Sequence, residues 1–128
     1  MRTLVLSLAL LLNTQCILSQ TISDAVTNKI FLVCHSDGEP MLIPGNEFIY
    51  ISIHSNNSTK AYTGQSLSKV ADKGTFADTG AWHANQLFLG ITWNSSPDKT
   101  SIYSRISGTN NFKEVGGEKT ILKYVLSF

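Results

Sequence analysis

The chain has 128 residues, with 10 Lys and Arg against 9 Asp and Glu and a formal net charge of +1. That length is one small domain. The near-neutral balance excludes the strongly basic surface with which nucleic-acid binders meet phosphates.

Residues 1–19, MRTLVLSLALLLNTQCILS, carry Arg2 and then an apolar run from Leu4 to Leu12. The run is too short for a bilayer, which needs about 20 apolar residues. With its basic start and the small Ser19 at the end, it reads as a secretory signal peptide. Residues 20–128 are then a single secreted domain. Cys16 leaves with the signal and Cys34 stays unpaired, so a monomer is expected, with a Cys34-linked dimer as the open alternative. No second apolar stretch of membrane length follows.

In chain order, Lys29 to Cys34 is a short apolar strand closed by the turn residues HSDGEP. The next segment, IPGNEFIYISIHSNNS, is ambiguous. Ile49, Ile51 and Ile53 alternate with Tyr50, Ser52 and His54, the period of a half-buried strand, and β-branched residues favour strands. Against that, Asn46 suits a helix N-cap, Glu47 a first turn, and Ile49 and Ile53 share a helical face. Local physics alone favours the strand.

The middle of the chain, from Ser58 to Gln86, is rich in Gly, Ser, Thr and Asp and shows no sustained periodicity. It reads as a binding-loop region. LFLGITW (87–93) and TSIYSRI (100–106) make a hairpin across the turn cluster NSSPDK. FKEV, the Gly116-Gly117 turn and TILKYVL complete a C-terminal antiparallel meander. Asn56, Asn57 and Asn94 lie in glycosylation sequons within turn-like stretches.

Little in the sequence carries chemistry. The histidines His35, His54 and His83 show no HxH or HxxxH spacing, and Cys34 beside His35 suits no common zinc arrangement, so neither a metal nor a cofactor is expected. No glutamate lies between Glu47 and Glu114. General acid–base work would fall to Asp72 and Asp78 near His83, but polar loops collect Asp for other reasons.

Three stretches read together carry a resemblance: FLVC followed by IPGNEFIYISIHSNN, then KAYTG (60–64), then SIYSRISGTNNFKEV (101–115). In this order they resemble the small secreted fungal guanyl-specific ribonucleases, and more closely the RNase-like effectors that powdery mildew fungi secrete into host cells. The resemblance implies an α+β ribonuclease-like fold, with one short helix packed on an antiparallel sheet and that helix lying over residues 46–54. Tertiary context overrides weak propensities, so the resemblance outweighs the local strand signal there.

The resemblance also implies a bridge from Cys34 to a position that here holds Val115. A closed loop of that size would stabilise by about 4 kcal/mol, and the TILKYVLSF extension offers a compensating strand. The family's catalytic glutamate and histidine are unmatched, with Trp93 in one register and Arg105 or Ile106 in the other standing where the acid is sought, while Tyr62 and Arg105 fit its phosphate-binding pattern. The implied function is a non-enzymatic effector, delivered into host cells, that binds a host protein, or less readily RNA, without cleaving it. Candidate contact residues are Tyr62, Trp82, His83, Trp93, Tyr103 and Arg105. The alternative is an extracellular all-β binding module, a lectin-like sandwich. Residual ribonuclease activity through Asp78, His83 and Arg105 is a third reading. Whether residues 46–54 are helix or strand separates the first two.

Overall fold

The computed structural model describes residues 21–66, 75–117 and 119–128. The expected signal peptide, Cys16 and Asp72 lie outside the described residues. Among the described residues, one helix, α1 (Ile22–Val26), precedes nine strands: β1 (Lys29–Cys34), β2 (Leu42–Ile43), β3 (Glu47–Ile53), β4 (Ser58–Gly64), β5 (Thr75–Ala84), β6 (Phe88–Trp93), β7 (Thr100–Arg105), β8 (Phe112–Glu114) and β9 (Ile121–Ser127).

From β2 to β9, each strand pairs antiparallel with the next, and β1 pairs with both β9 and β3. That double pairing closes eight strands into an antiparallel up-and-down barrel, with the two-residue β2 riding on the start of β3. The expected α+β ribonuclease-like fold is therefore corrected: the molecule is a barrel. It is not a sandwich of two sheets either.

Residues 46–54, expected as a helix, hold the strand β3 (Glu47–Ile53). Ile49, Ile51 and Ile53 pair with Thr63, Ala61 and Thr59 of β4 and share one face of the pleat. Ile51 and Ile53 are buried in the core, with Ile49 packed beside them. In a helix these three could not all reach one face. Asn46 does not cap a helix. It and Gly45 take left-handed conformations, φ 58° and 94°, and turn the β2–β3 hairpin. The short helix lies instead ahead of β1, where the Thr21 hydroxyl caps it by accepting a hydrogen bond from the Asp24 amide at 3.1 Å.

The middle of the chain is not a loop region throughout, because it supplies β4 and β5. Its alternation is hidden by small residues. Thr59, Ala61, Gly80 and Ala84 occupy inward positions, opposite Ile53, Ile51, Trp93 and Leu89 respectively. A barrel of eight strands has room inside for little more than packed side chains, so bulky residues on some strands require small ones on others. At Gly80 a Cβ would collide with the Thr92 carbonyl oxygen.

The interior is filled around Phe31, which meets Phe112 and Tyr124 edge-to-face at centroid distances of 5.8 and 6.2 Å. Ile53, Leu89, Ile91, Phe112 and Leu122 are wholly excluded from solvent. One end of the barrel is closed by α1. Ile22, Ala25 and Val26 join this core, and the Trp82 indole N–H donates to the His54 carbonyl at 2.8 Å.

Candidate functional site: the open end of the barrel

At the end away from α1 the inward-facing residues stay within reach of solvent. Ile49, Ala61, Asp78, Gly80, Trp93, Ser101 and Glu114 all point inward by alternation and register, and all are partly exposed. The same strands nearer α1 carry Ile53, Leu89 and Phe112, which solvent does not reach. The mouth is walled by the ends of β1, β4, β6 and β8 and the starts of β3, β5, β7 and β9.

Two polar clusters sit in this mouth. On the β7–β9 side, Tyr103 is 5 % exposed, and its phenol lies beside the side chains of Thr120 and Ser101. Burial pushes its pKa up, and the charge of Glu114 adds to the rise. Glu114 Oε1 accepts hydrogen bonds from the Thr120 amide and hydroxyl, each at 3.2 Å. On the β5–β6 side, Asp78 Oδ2 accepts from the Ser95 hydroxyl at 2.5 Å and Oδ1 from the Thr79 amide at 2.8 Å. Asn94 donates to the Thr79 hydroxyl at 2.7 Å. These contacts bind the β6–β7 turn down onto β5 beside the opening.

The barrel wall divides the residues expected to meet a partner. Trp93 and Tyr103 face inward toward the open end, while Trp82 lies deeper, against the helix end. Arg105 lies at the closed end, where its Nε donates to the Thr109 carbonyl at 2.9 Å and its guanidinium to Asn110 Oδ1 at 2.9 Å. Tyr62 and His83 are on the outer surface. The His83 ring covers Gly90, where a Cβ would lie 2.8 Å from it. Asp78 and His83 therefore fall on opposite sides of the wall. Cys34 is wholly buried, with β1 running on into the hairpin that pairs it with Pro40.

Asn56 and Asn57 are exposed at the closed end, and Asn94 is exposed at the rim of the open end. Among the described residues, no three His, Cys, Asp or Glu side chains are grouped so as to hold a metal, and no helix is long and apolar enough to cross a membrane. Sequence reasoning passed over Ser101, Glu114 and Thr120. The available signal was alternation: Glu114 is two residues from the buried Phe112, and Ser101 two from Tyr103. Compared with known proteins, the chain matches no family model, no curated protein and no solved structure.

Proposed function

We propose that this protein is a binding module that takes one small ligand into the open end of its barrel. The observation that carries this reading is the contrast between the ends: one is plugged by α1, and the other keeps an indole, a phenol and two carboxylates inside the wall. Eight-stranded barrels have interiors just large enough to be filled or to hold one small ligand. Small-ligand sites combine an apolar lining with a few placed polar groups. Here Ile49, Trp93 and the rim of the core supply the first, and Tyr103, Ser101, Glu114 and Asp78 the second.

With residues 1–19 acting as a secretory signal, the ligand is met outside the cell. A single protein or RNA partner is less well served, because the six aromatic and charged candidates are split between the inside, the outside and the two ends. Binding rather than turnover is the activity proposed.

The two tryptophans give the test. Trp82 is sealed and Trp93 is partly exposed, so acrylamide should quench Trp93 selectively, and a ligand in the mouth should shield it. The response should vanish in Trp93→Phe and persist in Trp82→Phe. Ligand binding that leaves Trp93 quenching unchanged would overturn the assignment.

A further inference from the structure

We propose that the ligand of the open end is a small organic cation, an ammonium or amidinium carried on a flat apolar body. This rests on the reading of the mouth as a ligand site and adds the chemistry of what enters it.

The inward polar groups there are lopsided. Two are carboxylates, Asp78 on β5 and Glu114 on β8, three strands apart around the wall. The rest are hydroxyls, those of Ser101, Tyr103 and Thr120. Among the described residues no Lys, Arg or His faces inward at this end. Lys60, His83, Lys113 and Lys123 take the outward phase of their strands, His35, Lys99 and Lys119 are exposed in turns, and Lys29 and Arg105 lie at the closed end. Among the described residues an anion would meet two like charges and no inward counter-charge, whereas a cation finds acceptors in place.

Those acceptors are held ready. The two bonds from Thr120 fix Glu114 through Oε1 and leave Oε2 with no hydrogen-bond partner among the described residues. Asp78 is fixed through both oxygens, Oδ2 by the Ser95 hydroxyl and Oδ1 by the Thr79 amide, and each keeps a further lone pair. Charge-assisted hydrogen bonds to such fixed carboxylates are the strong ones. Trp93 supplies a flat surface, and a cation over an indole gains further attraction.

The placement of the remaining acids agrees. Of the seven described acids, Asp37, Glu39, Glu47, Asp78, Asp98 and Glu114 lie at the open end and only Asp24 at the plugged end. Lys99 and Lys119 are the described lysines in the open-end turns. Lys113 and Lys123 sit on the outer face of the same end, and among the described residues the acids still outnumber the bases there, which favours cations at the mouth.

The experiment uses three probes of one shape: 2-phenylethylamine, 2-phenylethanol and phenylacetate. Each is titrated into the whole mature chain by calorimetry, with acrylamide quenching of Trp93 read on the same samples. The amine is expected to bind at least about tenfold more tightly than the alcohol, with phenylacetate weakest. Glu114→Gln should cost the amine about tenfold and leave the alcohol unchanged. Should that variant fail to fold, Asp78→Asn carries the same comparison. Equal binding of alcohol or carboxylate, with Trp93 shielded, would overturn the cation assignment and leave the mouth standing. Binding of all three without shielding would overturn the mouth as well, and no binding of any probe would overturn the ligand class proposed.

Discussion

His54 sits where β3 leaves the wall, its Nε2 2.8 Å from the Ser52 hydroxyl and its ring 5.1 Å from that of Phe128. Burial lowers its pKa, and the charge of Lys60 lowers it further. The unfolded chain therefore takes up a proton near the ordinary value of 6.5 while the folded chain still resists it. Stability is retained above that pH and lost as pH falls toward the folded value. Melting temperature should drop between pH 7 and 5, and His54→Asn should make that drop shallower. A slope unchanged in the variant would assign the acid sensitivity elsewhere. Cys34 makes a second residue-scale case. It is wholly buried, and burial raises its thiol pKa, against the opposing influence of Lys123, so little thiolate is present to react. A disulfide-exchange reagent should leave Cys34 untouched in the folded protein and titrate it in denaturant. Rapid reaction of the native chain would show that the 35–40 hairpin opens.

At the scale of elements, β9 decides closure. It pairs with β8 on one side and β1 on the other, and Leu122 and Tyr124 line the interior. Deleting Thr120–Phe128 would leave two unpaired edges and uncover Phe31 and Phe112, so the cooperative thermal transition should disappear and the chain should aggregate. An unchanged transition would mean that the wall closes without it. The strand β1 was legible to the residue, and β6, β7 and β9 nearly so, because each is a bounded run of β-branched and aromatic residues. The strands β4 and β5 were not, since their inward positions hold Thr, Ala and Gly that periodicity does not register. The strand β3 is legible in its own Ile alternation, against the helix that the ribonuclease resemblance implies there. In the mouth, the aromatic Trp93 and Tyr103 drew notice by type. Glu114 and Ser101 become visible only once register places them on the same side as Tyr103.

For the whole molecule, the closed ring makes chain order partly dispensable. The first and last strands are neighbours, with Lys29 opposite Ser127 and the Phe128 amide donating to the Asn28 carbonyl at 2.8 Å. A circular permutant that joins Phe128 to Thr21 through a short glycine linker, with new ends in the exposed Gly116-Gly117 turn, should keep the far-ultraviolet spectrum and a cooperative melt. Loss of both would show that closure depends on starting the chain at α1. Most ladders join strands adjacent in sequence and form early. The β1–β9 pairing must wait for both ends, so it is expected to be the slow step.

The same seam has a mechanical reading. Asn28 and Phe128 meet at one end of an antiparallel pair, so tension applied to the two ends of the domain falls on the first rung alone. The rungs would then break in succession, as a zipper opens, instead of shearing together. A barrel whose eight strands close on one another would thus have a single line along which a modest pull opens it.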